Sequence, residues 1–166
     1  MMKDDVVRLV IESLKEAKIQ TIVTVPESQF KELYPALHRD PDFRYIPVTN
    51  EAEGVSIAAG CWAAGKKALM VMENAGLRVA VEPLSRLGLT HGIPVMMMLC
   101  STGDIGERNW WGIAHGITIE PLLQALRIPY IIVRRKDELK DALRRAAAHI
   151  SVSLYHVVVI LAGELA

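Results

Sequence analysis

Residues 43–73 read FRYIPVTNEAEGVSIAAGCWAAGKKALMVME and contain one complete strand–helix–strand pattern. The pattern predicts a short strand over 43–49, a long apolar helix over 50–64 that ends at Gly65, and a strand over 66–73. The second strand is almost continuously apolar, which is typical of a strand that is buried on both faces of a parallel sheet. This segment therefore predicts a β-α-β unit, the building block of an α/β fold.

The same alternation continues on both sides of this segment. Further strands are predicted over 19–26, 93–100, 128–133 and 155–163, and further helices over 6–18, 27–40, 77–92, 117–127 and 136–151. A polar loop is expected over 101–116. We therefore expect one domain over residues 1–166, folded as a three-layer α/β/α sandwich around a six-stranded, mostly parallel sheet.

Composition excludes several classes of function. The 166 residues carry 19 basic and 19 acidic side chains, so the formal charge is zero and nucleic acid or an anionic membrane is a poor partner. No apolar stretch is long enough to span a bilayer, and the amino terminus is typical of a helix rather than a signal peptide. Cys61 and Cys100 lack metal-type spacing, and no metal site can be assembled from the cysteines and the five histidines. We expect a soluble, cytoplasmic protein without its own metal ligands.

Residues 60–67, GCWAAGKK, resemble a phosphate-binding loop but do not satisfy its requirements. Lys67 replaces the hydroxyl residue that binds magnesium, and the segment runs from a helix into a strand, whereas such a loop runs from a strand into a helix. We interpret it as the end of a helix. No G-x-G-x-x-G occurs either, which argues against a flavodoxin-like or dinucleotide-binding nucleotide site.

Two acids, Glu51 and Glu53, open the otherwise apolar helix of residues 50–64. With Asn50 as the N-cap, Glu53 occupies the third helical position, and we predict that it returns to the backbone N–H of Asn50 in a capping box. Glu51 has no such duty and follows a strand, at the edge of the sheet where ligands bind. The pattern alone leaves two interpretations of Glu51: a functional acid, or a charge that only complements the helix dipole.

Other polar residues also follow predicted strands, at 25–28, 72–76 and 100–107. The loop over 101–116 contains Trp110, Trp111 and His115, and long loops in compact domains are often functional. His115 is a candidate proton shuttle or a simple surface hydrogen-bonding group. Adjacent tryptophans are more typical of packing or interfaces than of catalysis.

Four segments together resemble one enzyme family over almost the whole chain. They are VPESQFKEL, IPVTNEAEGVSIAAGCWAAGKKALMVMENAGL, HGIPVMMML and GIAHGITIEPLLQALRIPYIIV. They are similar to the pyrimidine-binding domain of thiamine-diphosphate-dependent decarboxylases, above all to the alpha subunit of sulfopyruvate decarboxylase and the matching half of phosphonopyruvate decarboxylase. The most specific part is the P-V-x-x-E-x-E-G block followed by ENAGL.

The resemblance implies roles for particular residues. Glu51 would be the catalytic acid that hydrogen-bonds N1′ of the aminopyrimidine and favours its imino tautomer, so that the cofactor can take up electrons as a 2-oxo acid loses CO₂. His115 would be a second catalytic residue at the substrate mouth. The other implied cofactor contacts are Pro26, Glu73, Asn74, Gly76 and Leu77, and the implied substrate contacts are Glu27, Ser28, Gly106 and Glu107.

The resemblance also implies a partner subunit. In this family the diphosphate and Mg²⁺ are bound through a second domain that carries G-D-G and, further on, N-N, and neither motif occurs here. A separate beta subunit would therefore supply this half of the site, and its interface would account for the surplus of apolar residues. The alternative is a catalytically silent regulatory or scaffolding subunit with the same fold.

The chain departs from the family pattern in two places. Arg78 follows ENAGL where small and polar residues are usual, and the loop over 101–112 lacks the basic cluster that a sulfonate or phosphonate would require. Trp110 and Trp111 favour a larger or less charged substrate. The substrate, the choice between decarboxylation and carboligation, and the stoichiometry of the assembly stay open at this point.

Overall fold

A computed structural model describes residues 2–165, and within this range six strands form one sheet. The strands are β1 (Thr21–Thr24), β2 (Arg44–Pro47), β3 (Ala68–Glu73), β4 (Met96–Cys100), β5 (Tyr130–Val133) and β6 (Val157–Leu161). Their order across the sheet is β2-β1-β3-β4-β6-β5, and all five pairings are parallel. The predicted six-stranded α/β fold is confirmed, with a sheet that is entirely parallel.

Helices cover both faces of the sheet. They are α1 (Asp4–Glu16), α2 (Leu33–Arg39), α3 (Glu51–Ala63), α4 (Gly76–Val79), α5 (Val81–Leu84), α6 (Ile113–Ala125) and α7 (Lys136–Ser153). One apolar core joins α1, α2 and α7 to alternate residues of the strands, and a second core joins α3, α4, α5 and α6 to the intervening residues. Because both faces are buried, the central strands are continuously apolar, as the sequence predicts.

The strand–helix–strand segment has local signals at both ends of its helix. The side chain of Asn50 accepts a hydrogen bond from the backbone N–H of Ala52, and the helix begins at Glu51. Gly65 has a φ of 74°, the left-handed conformation that ends a helix at low cost for glycine. The GCWAAGKK segment is thus the end of α3, which confirms that it is not a phosphate-binding loop.

The predicted helix over 27–40 begins six residues later than expected, at Leu33. The carboxylate of Glu27 accepts hydrogen bonds from the backbone N–H groups of Gln29 and Phe30, both at 2.6 Å. This local pairing competes with helical hydrogen bonding and produces a turn after β1. Pro35 lies in the first turn of α2, where it does not bend the helix.

The predicted helix over 77–92 is divided into α4, α5 and a π-helical segment at Ser85–Thr90. Pro83 explains part of this division, because proline has no N–H to donate to the carbonyl of Val79. Gly88 lies in the π-helical segment, close to the His156 ring: a Cβ added at Gly88 would lie 2.4 Å from Nε2 of that histidine. The irregular helix thus packs tightly on the amino end of β6.

The predicted loop over 101–116 is shorter than expected, because α6 already begins at Ile113, after a 3₁₀ turn at Trp110–Gly112. Two glycines bring the start of this helix against the end of β4. A Cβ added at Gly116 would lie 1.9 Å from the carbonyl oxygen of Gly103, so neither position has room for a side chain. Glycine has a low helix propensity, so Gly116 by itself predicts a loop. The close packing on Gly103 nevertheless requires a residue without a Cβ at this position.

The structure also bears on membrane and thiol chemistry. Of the helices in the described range, none is long and apolar enough to cross a membrane. Cys61 and Cys100 are both free thiols, and Cys100 is buried at the end of β4.

Candidate active site

Glu51 is the first residue of α3, at the carboxyl edge of the sheet, and its side chain is half-buried. Capping of this helix is carried out by other residues: Asn50 caps Ala52, and Glu53 Oε2 accepts from the backbone N–H and hydroxyl of Thr49 at 3.4 and 3.3 Å. The predicted return of Glu53 to Asn50 is therefore wrong by one residue. Across residues 2–165, no hydrogen bond or ion pair engages the Glu51 carboxylate.

Gly76 provides the surface on which Glu51 rests. A Cβ added at Gly76 would lie 2.4 Å from Cγ and 2.9 Å from Oε1 of Glu51. Gly76 begins α4 directly after β3, so the contact joins the loops that follow β2 and β3. The two most specific pieces of the sequence pattern, the P-V-x-x-E block and the ENAG segment, meet here.

A second set of contacts links the ends of β1, β3 and β4. The Asn74 side-chain amide donates to the carbonyl oxygen of Thr102 at 2.8 Å, and the Gln29 amide donates to the hydroxyl of Thr102 at 2.7 Å. Asn74 is buried, and its Oδ1 atom lacks a hydrogen-bond partner among the described residues. Sequence reasoning identified Asn74 but missed Gln29 and Thr102, whose role depends on three strand ends meeting.

Glu27 lies beside this network in the turn after β1. Besides accepting from two backbone amides, it donates its own N–H to the Tyr34 hydroxyl oxygen at 3.1 Å. Burial raises the pKa of the Glu27 carboxyl, and the negative charge of Glu73 acts in the same direction, while the two backbone N–H groups oppose them. A carboxyl in this setting holds a proton at higher pH than an exposed one.

Cys100 ends β4 opposite Glu73 in the register of the sheet. Its pKa is raised, first by burial and then by the negative charges of Glu27 and Glu73. The thiol therefore stays protonated and unreactive. Cys100 and the two acids place an acidic cluster, rather than a basic one, behind the end of β3.

His115 reaches this cluster from the third position of α6. Its Nδ1 atom lies 3.5 Å from Oε1 of Glu73, and its ring packs against that of Trp111 with centroids 5.6 Å apart. The structure thus places Glu73 and His115 together, although the sequence assigned one to the cofactor and the other to the substrate mouth. A carboxylate beside an imidazole is an arrangement that can transfer protons.

The loop residues Gly106 and Glu107 make no hydrogen bond or ion pair with Glu51, Glu73 or His115 in the described part of the chain. Gly106 has a φ of 95° and open space around it. The Glu107 carboxylate accepts from the backbone N–H groups of Asn109 at 2.8 Å and Gly103 at 3.2 Å, which lowers its pKa. Glu107 therefore stabilises the shape of its own loop.

The remaining expected site residues do not form a common cluster. Pro26 and Ser28 are exposed at the end of β1, Leu77 is buried in the core and Arg78 is exposed on α4. Trp110 is 86% exposed, so it does not belong to the packed interior of the described chain. The structure brings together Glu51 with Gly76 and Glu73 with His115.

More than half of the chain matches one known enzyme family. Residues 4–101 match the family described as thiamine pyrophosphate enzyme, N-terminal TPP binding domain. The chain belongs to this family, which confirms the resemblance drawn from the sequence.

The chain is also similar to individual proteins that are described as decarboxylases or their subunits. The chain is 27% identical over 156 residues to sulfopyruvate decarboxylase subunit alpha of Methanococcus maripaludis, covering 94% of this chain and 93% of that protein. It is 31% identical over 142 residues to the protein of the same description from Methanothermobacter thermautotrophicus, covering 86% of each. Similarity to phosphonopyruvate decarboxylase of Streptomyces viridochromogenes, 32% over 91 residues, covers 55% of this chain and 23% of that protein.

Proposed function

We propose that this chain is the pyrimidine-binding alpha subunit of a thiamine-diphosphate-dependent 2-oxo acid decarboxylase or related C–C lyase. The single observation that carries the proposal is the free, half-buried carboxylate of Glu51, which rests on Gly76 at the carboxyl edge of a parallel sheet. Ligands bind at this edge in open α/β folds. The alpha-subunit relatives, matched over most of their length, support the choice of reaction.

The residues present suit an aminopyrimidine. Glu51 packs so closely on Gly76 that any side chain at Gly76 would displace its carboxylate, and Asn74 Oδ1 is a buried acceptor without a partner in residues 2–165. A flat ring with an amino group can use a carboxyl and an amide acceptor. Glu51 and Asn74 would hold the ring, with Gly76 supporting Glu51 and Glu73 at the end of β3 nearby.

The bound cofactor supplies an electron sink for the bond between the 2-oxo carbon and the leaving carboxylate. Glu51 holds and releases a proton at N1′ of the pyrimidine. This task requires a carboxyl, because an amide cannot cycle a proton. The Glu51 carboxylate does not cap α3, because Asn50 and Glu53 accept the capping hydrogen bonds at the start of this helix.

The substrate would enter beside the turn after β1 and the loop after β4, where Glu27, Ser28, Gly106 and Glu107 lie. The second half of the site would come from a beta subunit that carries the Gly-Asp-Gly and Asn-Asn motifs and binds diphosphate with Mg²⁺. The designation of the relatives as subunit alpha supports this division.

Replacing Glu51 with Gln tests the proposal. In the complex that copurifies with the chain, supplied with thiamine diphosphate and Mg²⁺, we expect CO₂ release from the best of a panel of 2-oxo acids to fall by at least about 10²-fold. Glu53→Gln is the matched control, because Glu53 lies two residues on and its side-chain hydrogen bonds within residues 2–165 are to Thr49. It should leave turnover within about twofold, since exposed sites contribute little.

Full activity of the Glu51→Gln complex would refute the mechanism and favour a silent scaffolding subunit. Size-exclusion chromatography should show that both variants still bind the partner. A loss of activity is then not caused by failure of the complex to assemble.

A further inference from the structure

Glu73 and His115 form a contact between two elements that the proposed cofactor role of Glu51 does not use. Glu73 is the last residue of β3, and His115 lies in the first turn of α6. Both side chains are largely buried, with 26% and 13% of their surfaces exposed, and Oε1 lies 3.5 Å from Nδ1.

The Nδ1 atom of His115 is buried, and in the described part of the chain it has no hydrogen-bond partner. Its distance from Glu73 exceeds the roughly 2.7–3.2 Å of an N–H···O hydrogen bond by a few tenths of an ångström. Leaving a buried donor unpaired is costly, so such an atom calls for an explanation. Catalytic hydrogen bonds are often long before substrate binds and shorten in the complex.

The backbone around His115 keeps the ring near Glu73. The next residue, Gly116, packs against Gly103 so closely that a Cβ on Gly116 would lie 1.9 Å from the Gly103 oxygen. Trp111 packs on the imidazole at an interplanar angle of 55°. The start of α6 therefore cannot slide along the end of β4, and the ring is confined between Trp111 and Glu73.

We propose that Glu73 is a positioning residue that accepts the Nδ1–H of His115 and leaves Nε2 as the atom that exchanges protons with the reacting 2-oxo acid. This inference rests on the proposed function. In the net reaction the bond between the 2-oxo carbon and the carboxylate breaks, CO₂ leaves, and the electron pair of that bond forms a C–H bond with a proton. Protonated His115 donates that proton from Nε2: the N–H bond breaks, the new C–H bond of the product forms, and solvent returns a proton to the ring.

His156 provides an internal reference of the opposite type. Its Nδ1 accepts from the backbone N–H of Val95 and its Nε2 donates to the carbonyl oxygen of Leu84, both at 2.9 Å. These two partners define His156 as the Nε2–H tautomer. If Glu73 acts as proposed, neutral His115 is the Nδ1–H tautomer, which is the minor form of a histidine side chain in water.

Nitrogen-15 NMR of the histidine-labelled full chain distinguishes the two forms. At a pH high enough that the histidine shifts no longer change with pH, we expect protonated-type Nδ1 and unprotonated-type Nε2 shifts for His115, and the reverse for His156. Loss of one signal set in His115→Gln assigns the spectrum. An Nε2–H pattern for His115 in the wild-type chain would overturn the proposal without any variant of Glu73.

Two substitutions of Glu73 sharpen the test. Glu73→Leu removes the acceptor, so His115 should move toward the Nε2–H tautomer, whereas Glu73→Gln keeps an acceptor oxygen and should retain Nδ1–H. His156 should be unchanged in both. A wild-type His115 pattern in a folded Glu73→Leu chain would contradict the proposed contact.

Kinetics of the copurified complex provide the second readout. Glu73→Leu and His115→Gln should each lower kcat by about 10²-fold with little change in KM, and the double variant should lose no more than either alone, because the two residues act as a unit. Multiplied losses would show independent roles and refute the pairing. Activity retained in Glu51→Gln refutes the proposed function instead, whatever the tautomer of His115.

Discussion

Each end of the sheet contains a histidine in a confined position, and the two histidines differ in the hydrogen bonding of their ring nitrogens. At the amino end, His156 is completely buried, and both ring nitrogens have backbone partners at 2.9 Å. At the carboxyl end, His115 retains some exposure, and its buried Nδ1 has no hydrogen bond within residues 2–165. A buried polar group with all its hydrogen bonds formed is typical of a structural role, and one with a missing hydrogen bond is typical of a functional site.

Two glycines repeat this contrast. A Cβ added at Gly88 would lie 2.4 Å from the ring of His156, and a Cβ added at Gly76 would lie 2.4 Å from Glu51 Cγ. The ring is fixed by two hydrogen bonds, whereas the Glu51 side chain makes none in the described structure. Equal crowding should therefore disturb stability at the amino end and function at the carboxyl end.

The largest expected difference between the two ends is in the free energy of unfolding after histidine removal. His156→Ala leaves the Val95 N–H and the Leu84 carbonyl unpaired and opens a cavity, so we expect a loss of about 2–4 kcal/mol. His115→Ala removes no formed hydrogen bond and should cost less than about 1 kcal/mol. Urea denaturation of both chains, followed by circular dichroism, measures the difference. Equal losses would show that the two ends are not specialised as proposed.

The next largest effect concerns the crowded glycines. Gly88→Ala should reduce the free energy of unfolding by about 1–3 kcal/mol, because the buried His156 ring cannot move away from the added methyl group. Gly76→Ala should cost less, because the Glu51 side chain can rotate toward solvent, but it should impair turnover by displacing the proposed activator. Thermal melts and CO₂ release by the complex separate the two outcomes. A Gly76→Ala complex with wild-type turnover would indicate that Glu51 does not act from this position.

The smallest effect is the response of stability to pH, which has opposite sign at the two ends. Burial lowers the pKa of His156 from its ordinary 6.5. The unfolded chain therefore binds the proton more readily, and stability is complete above about pH 6.5 and decreases as the pH falls below it, by at most about 1.4 kcal/mol per pH unit.

The carboxyl end behaves in the reverse sense. Burial raises the pKa of Glu27 above 4.5, so its contribution is present below that pH and is lost as the pH rises through the raised value. Urea denaturation between about pH 4 and pH 8 should show that His156→Gln flattens the decrease below about pH 6.5. Glu27→Gln should gain relative to wild type as the pH rises. If the free energy of unfolding of a variant changes with pH in parallel with that of the wild type, the substituted residue does not cause the pH dependence.

Much of the fold was predictable because its signals are local. The apolar periods, the N-cap at Asn50 and the left-handed Gly65 all depend on residues a few positions apart. Three helix boundaries were predicted wrongly, and each has a local cause. Glu27 pairs with backbone amides and delays α2, Pro83 falls within a divided helix, and Gly116 lies inside α6 where glycine normally disfavours helix.

The sequence by itself determined the alternation of strands and helices, and it isolated Glu51 as an acid without a capping role at a strand end. Only the tertiary structure decided which groups meet there. The strand order β2-β1-β3-β4 brings Gly76 beneath Glu51, Thr102 to Asn74 and His115 to Glu73. The physical reason is range: caps and periodicity act within one or two turns of chain, whereas a site at the edge of a parallel sheet is assembled from loops that only strand pairing brings together.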